Sequence, residues 1–288
     1  MISVKGDGGR DKGDVSLTCP APAKLNLFLH VTGRRKDGYH LLQTLFRFID
    51  LNDTLHFTLR TDGEVHRVNQ IADVPEDQDL CVRAALLLQK ETGCTLGVDI
   101  ELEKRIPMGG GLGGGSSDAA TTLIALNRLW ALGLSRARLM AVGLQLGADV
   151  PVFVFGENAF AEGVGEKLQA YALPPAWYVV LFPPVHVPTA QIFSNSGLTR
   201  DTDSIIIRAL SLQQCRNDLE PVVCSLYPEV ANSIAELGQH GRAMMTGSGA
   251  CVFASFESQR EAEVVLQKVS QRGVVVQGLM KHPLIDWV

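Results

Sequence analysis

Pro107-Met108-Gly109-Gly110-Gly111-Leu112-Gly113-Gly114-Gly115-Ser116-Ser117-Asp118-Ala119-Ala120 places six glycines among fourteen residues. Such a backbone can turn left-handed and let a ligand approach successive N–H groups without a side chain intervening. The run Ala119 to Leu126 that follows is helix-forming, with Ser116, Ser117 and Asp118 placed to cap its start. Before the glycines, Val98, Ile100 and Leu102 alternate as in a strand. Strand, glycine loop and helix N-terminus together describe a phosphate cradle, because unpaired amides and the positive end of the helix dipole favour an anion. No lysine follows the last glycine, as a Walker A loop would require, and no acidic residue lies where a Rossmann fold binds ribose.

Outward from the loop, the chain of 288 residues is long enough for two domains. Its composition, 46% hydrophobic and 20% charged, is that of an ordinary globular enzyme, and the formal charge of −5 comes without a basic patch. General affinity for nucleic acid or an anionic membrane is therefore not expected. The six cysteines form no C-x-x-C pair, which points to reduced core thiols in a cytoplasmic protein and to neither a zinc site nor a disulfide framework. No apolar run reaches the roughly 18 residues of a membrane span. Residues 1–16 read as a disordered extension without signal-peptide or transit-peptide character.

Between Lys24 and Val31 the residues alternate, with Leu25, Leu27, Leu29 and Val31 on one face and Lys24, Asn26, Phe28 and His30 on a wet or functional one. Lys24 is either an ordinary solvated lysine or a functional one beside Asn26. A strand from Tyr39-His40 to about Leu51 should reverse at Asn52-Asp53 into Thr54 to Arg60. Helices are expected over Leu80 to Thr92, from Ser135 to Leu146, Ser204 to Leu212 and Glu229 to Leu237. Strands are expected at Val150 to Phe155, Phe160 to Gly165, Trp177 to Pro184, Ala250 to Phe256 and Val274 to Leu279. Asp149, in Gly147-Ala148-Asp149-Val150-Pro151, is a turn or cap residue or a rigidly presented carboxylate. Thr246-Gly247-Ser248-Gly249 is a tight turn or a second ligand-facing loop.

Pro22-Ala23-Lys24-Leu25-Asn26-Leu27, Pro107 to Ala120 and Thr246-Gly247-Ser248-Gly249 resemble, in order and spacing, the three motifs of the GHMP kinases. Gly38-Tyr39-His40-Leu41-Leu42, Gly147 to Pro151 and Phe160 to Gly165 look like the branch that phosphorylates a cytidine-diphosphate-linked methylerythritol in non-mevalonate isoprenoid synthesis. The resemblance covers about Leu17 to Leu279. It implies an α+β, two-domain fold with a deep cleft between the domains. An N-terminal ATP-binding and catalytic domain would span 17–168 and a C-terminal substrate-binding domain 169–288.

By that resemblance, Asp149 accepts the proton of the acceptor's 2-hydroxyl or orients it, and Lys24 neutralises developing charge. ATP lies along Pro107, Met108, Gly109, Gly110, Gly111, Leu112, Gly113, Gly114, Gly115, Ser116 and Ser117, with Lys104 near the adenine. Tyr39 and Phe193 sandwich the cytosine, and His40 bonds its edge. Asn26, Val164 and Thr189 complete the substrate surface. ATP is the co-substrate and Mg2+ is expected with it, Ser117 being a candidate ligand, although no carboxylate cluster suggests a protein cage. The chain departs from the family at Asp77-Gln78-Asp79, where an asparagine is usual near the nucleotide. Alternatives are another GHMP enzyme of homoserine or mevalonate type, and a non-catalytic nucleotide-binding protein.

Overall fold

The computed structural model describes residues 15–210 and 215–288. The chain runs through β1 (Ser16–Arg34), β2 (His40–Arg60), β3 (Val65–Arg67), α1 (Leu80–Thr92), β4 (Gly97–Glu103), α2 (Gly114–Leu129), α3 (Arg136–Leu144), α4 (Val150–Phe155), β5 (Ala159–Glu162) and β6 (Lys167–Ala170). It continues with β7 (Trp177–Leu181), α5 (Thr189–Ser194), α6 (Glu220–Leu226), α7 (Pro228–Gly238), β8 (Met244–Met245), β9 (Val252–Phe256), α8 (Gln259–Leu266) and β10 (Gly273–Gln277).

Two sheets result: a six-stranded one in the order β3-β4-β2-β5-β6 with β1 paired to β2, and a four-stranded one in the order β10-β7-β9-β8. The change of sheet falls between Ala170 and Trp177. One core packs the first sheet against α1, α2, α3 and α4 through Phe48, Phe57, Leu88, Ile100, Leu123 and Phe153. A second lies around Val179, Ile192, Leu237 and Val252. A third, with Leu25, Phe28, Leu45, Tyr178 and Phe253, joins the two halves.

That joining core corrects the expectation of a wet strand face. Lys24, Asn26 and His30 are as buried as their apolar neighbours because the second half covers the strand. Two long strands clothed on both sides form an α+β unit with helices on one face and a second sheet on the other.

Other expectations change as well. Asn52-Asp53 is no reversal: β2 passes straight through it, and its register against β1 slips between Pro22/Asn52 and Ala23/Ile49, which is a bulge. Val150 to Phe155 is a short helix rather than a strand, with Pro151 in its first turn and Gly156 left-handed at its end (φ 81°). A short apolar run fits either element, and these two residues decide it. The helix expected over Ser204 to Leu212 is not seen either: only Ile207–Ala209 forms a 3-10 turn, and 211–214 lie outside the described residues. The helix after the glycine loop starts earlier than expected. Gly113, left-handed at φ 73°, is its N-cap, no side chain caps it, and Ser116, Ser117 and Asp118 lie inside its first turns. The expected extension falls outside the described residues as far as residue 14.

Candidate active site

Lys24 is 2% exposed, its stem packed in β1 and its ammonium at the cleft wall. Nζ donates to Asn26 Oδ1 at 2.5 Å and to the Gly111 carbonyl at 3.0 Å, and stands 3.3 Å from Asp149 Oδ2. Three acceptors thus surround a group with three protons. Asp149 sits at the N-cap of α4 without bonding its own helix, so Pro151 holds a half-buried carboxylate toward the lysine.

The glycine loop is locked by close approach. Gly111 has φ 75°, and a Cβ there would stand 2.3 Å from the Thr246 carbonyl; a Cβ on Gly247 would stand 2.9 Å from the Gly111 carbonyl. Cys251 N–H donates to the Gly110 carbonyl at 3.1 Å, and Asn26 N–H to Thr246 Oγ1 at 2.9 Å. Thr246 to Gly249 is therefore a second loop seated against the first, not merely a turn into β9. The first loop ends at the N-terminus of α2, whose first-turn amides suit an anion.

Lys104 forms ion pairs with Asp53 and Asp118 (2.8 Å to the latter). Asp53, fully buried, also accepts from the backbone N–H of Arg105 at 2.6 Å and of Ile106 at 2.8 Å. Burial, opposed by Lys104 and reinforced by the charge of Asp53, pushes the Asp118 carboxyl up to about 8. Ile71, Val74, Leu80 and Leu102 form an apolar wall on this side of the cleft. Within Asp77-Gln78-Asp79, Asp79 is committed to structure: it caps α1 through Cys81 N–H and pairs with Arg67 at 2.7 Å.

At the other end, the His40 ring lies 5.0 Å from the Phe193 ring at 34°. Arg200 Nε donates to His40 Nε2 at 3.1 Å. Burial, with Arg200 and Arg34 adding to it, lowers the His40 pKa. Thr189 Oγ1 meets Ser248 Oγ at 2.7 Å, and Val164 N–H donates to Glu166 Oε2 at 2.6 Å.

One cleft of about 740 Å³ brings together Lys24, Asn26, Lys104, all residues from Pro107 to Ser116, Asp149, Val164, Thr189 and Phe193. Three expected residues stand apart from its lining. Tyr39 is 65% exposed, and His40 lies behind Phe193. Ser117 is fully buried and donates to the Pro22 carbonyl at 2.7 Å, so its hydroxyl anchors α2 to β1 and does not face the cleft. Its neighbour Ser116 faces the cleft instead. Sequence reasoning passed over Arg200 and His186, whose ring occupies the space a Gly109 side chain would take (2.2 Å from Cβ to Nδ1). Neither belongs to a periodic pattern or motif that would single it out.

A glycine loop at a helix N-terminus, with a lysine–aspartate pair bonded to it at the wall of one cleft, defines a small-molecule phosphotransferase. The GHMP kinases N terminal domain matches residues 79–157, and the GHMP kinases C terminal domain matches residues 199–275. The chain belongs to the GHMP kinase family. A 4-diphosphocytidyl-2-C-methyl-D-erythritol kinase of Nitrosospira multiformis is 62% identical over 276 residues, covering 94% of each chain. One from Thiobacillus denitrificans is 61% identical, covering 95% of this chain and 99% of that protein. A crystal structure of 4-(cytidine 5'-diphospho)-2C-methyl-D-erythritol kinase superposes with a TM-score of 0.77 at 36% identity, over 91% of this chain and 99% of that one.

Proposed function

We propose that this enzyme transfers the γ-phosphoryl group of ATP to the 2-hydroxyl of 4-diphosphocytidyl-2-C-methyl-D-erythritol, the compound for which its relatives are named. The observation that carries the mechanism is the Lys24 ammonium, held between Asp149 and the Gly111 carbonyl of the glycine loop. Phosphoryl transfer asks the protein mainly for positioning and charge stabilisation. The loop and the α2 N-terminus receive the phosphates of ATP, and the apolar wall near Lys104 takes the adenine.

The acceptor hydroxyl docks at Asp149. As its oxygen bonds to the γ-phosphorus and the bridge to ADP breaks, the hydroxyl proton passes to Asp149 and Lys24 offsets the charge on the transferring group. Asn26 holds Lys24 in place. Cytosine is assigned to the Phe193 side of the cleft, with Tyr39 at its rim and the His40 segment beside it. Stacking of this kind is worth about 1–3 kcal/mol per base.

Among the described residues no group of three or more His, Cys, Asp or Glu could hold a metal ion, and the Ser117 hydroxyl is already used. These residues do not make a protein cage for Mg2+. The ion is assigned to the phosphate oxygens of ATP and water, and no step rests on it. The division at 168/169 into nucleotide-binding and substrate-binding domains belongs to the same proposal. No described helix is long and apolar enough to cross a membrane, and we place the enzyme in the cytoplasm, acting on a small molecule rather than nucleic acid.

A homoserine kinase from Cytophaga hutchinsonii shares the fold at 16% identity (TM-score 0.67), so acceptor choice is the point to test. ADP release should be measured with the cytidylyl acceptor, homoserine and mevalonate phosphates. Turnover confined to the cytidylyl acceptor is expected. Turnover of homoserine or a mevalonate phosphate in its place would overturn the reading.

A further inference from the structure

His186 stands on the segment that leads from β7 into α5, next to the buried Val187. Its ring crosses from the second half of the chain and lies on the glycine loop of the first. A Cβ added to Gly109 would stand 2.2 Å from Nδ1 and 2.6 Å from Cε1, so this edge of the imidazole takes the room that the missing side chain leaves. Gly109 is left-handed at φ 69°, a conformation that keeps other residues out. The ring lines the cleft together with Met108, Gly109 and Gly110 on one side and Thr189 and Ser248 on the other.

The other polar groups of the lining are already committed. Lys24 is held by Asn26, the Gly111 carbonyl and Asp149, and Lys104 by Asp53 and Asp118. The hydroxyls of Thr189 and Ser248 bond to each other at 2.7 Å. Three carboxylates, Asp79, Asp118 and Asp149, face the same cleft, so its two lysines leave no surplus of positive charge for a polyphosphate. The His186 ring nitrogens have no hydrogen-bond or ion-pair partner among the described residues. An imidazole presents at least one N–H in either protonation state, and here that donor sits over the phosphate loop without a protein acceptor.

We infer that His186 is a phosphate-binding residue: its ring N–H donates to a polyphosphate oxygen held at the Met108–Gly110 end of the glycine loop. The inference rests on the proposed phosphoryl transfer. ATP and the diphosphate of the acceptor both offer such an oxygen, and the chemistry at the ring is the same for either. A donor bonded to an ionised oxygen makes a bond roughly twice as strong as a neutral pair. The glycine loop supplies amides from the first half only, and His186 adds a side-chain donor from the second.

Two measurements test this. His186→Phe keeps an aromatic ring on Gly109 and deletes both nitrogens, whereas His186→Gln keeps an N–H donor. In steady-state assays His186→Phe should raise the KM of one substrate about tenfold, as for loss of one hydrogen bond to a charged group, and leave the other within about twofold. His186→Gln should recover most of the loss. A rise confined to ATP assigns the ring to the donor's phosphates, and a rise confined to the cytidylyl acceptor assigns it to the acceptor's diphosphate. In nitrogen-15 NMR of the wild-type enzyme, the His186 ring resonances should move with ATP or with cytidine diphosphate and stay in place with adenosine or cytidine. Unchanged KM values in His186→Phe would overturn the inference. So would an equal rise for both substrates that His186→Gln fails to restore, which would mark the ring as packing alone. Wild-type enzyme that leaves the cytidylyl acceptor untouched, while ATP still moves the ring resonances, would remove the proposed acceptor and support the phosphate contact. Turnover of that acceptor with resonances unmoved by either nucleotide would remove the inference alone.

Discussion

Lys24 Nζ stands 3.3 Å from Asp149 Oδ2, one group buried in the long β1 strand and the other presented at the first turn of α4. Lys24→Met keeps the stem but deletes the ammonium. It should lower kcat about 10²- to 10³-fold, the range for loss of one charge-stabilising donor. The variant should also be less stable by about 1–3 kcal/mol, since Asn26 Oδ1 and the Gly111 carbonyl lose their donor. Rapid-quench kinetics and urea unfolding read the two effects separately.

Gly111→Ala puts a methyl group 2.3 Å from the Thr246 carbonyl in a left-handed backbone. Both the clash and the conformation oppose it, so a loss of at least about 2 kcal/mol is expected, together with a raised KM for ATP. A melting curve and an ATP titration check this.

Asp53 and Asp118 share Lys104 but should respond differently to removal of their charge. Burial pushes the Asp118 carboxyl up, so amidation there removes a charge already disfavoured, and Asp118→Asn should cost less than Asp53→Asn. Asp53→Asn removes the fully buried one of the two carboxylates paired with Lys104 and turns an amide toward it, at a cost of roughly 3 kcal/mol. Equal losses in urea unfolding would contradict this ranking of the two carboxylates.

His282, 1% exposed and edge-on to the Phe48 ring at 5.7 Å, is buried neutral: burial, then Arg136, lowers its pKa from 6.5 to about 3. Between those values the unfolded chain binds a proton that the folded chain refuses. The stability His282 contributes is therefore present above pH 6.5 and lost as pH falls toward about 3, by up to about 1.4 kcal/mol per pH unit. His282→Gln should flatten the acid limb of a stability-versus-pH curve by that slope, and an unchanged limb would count against it.

Much of the site was legible because its motifs are local. The glycine run marks a phosphate loop by composition alone, and α1 carries its own punctuation in Asp79 and Gly93. What escaped depends on distant packing. Nothing near Lys24 in the sequence shows that a second sheet will bury its face, and Asn52-Asp53 has turn chemistry that the long β1–β2 pairing overrides with a bulge. Val150 to Phe155 is apolar throughout, so periodicity could not separate strand from helix. Ser117 looks like a free hydroxyl beside the glycines until the fold brings Pro22 to it. Arg200 acquires meaning only when the chain after α5 folds back on His40.

The most direct test of the account is single-turnover transfer from ATP to the cytidylyl acceptor by Asp149→Asn, with ATP binding measured on the same variant. Asp149 touches the loop only through Lys24 and makes no cap bond to its own helix, so the substitution should leave ATP affinity within about twofold. Transfer should slow at least about a hundredfold. Transfer at the wild-type rate would contradict the assignment of Asp149 as the group that receives the hydroxyl proton.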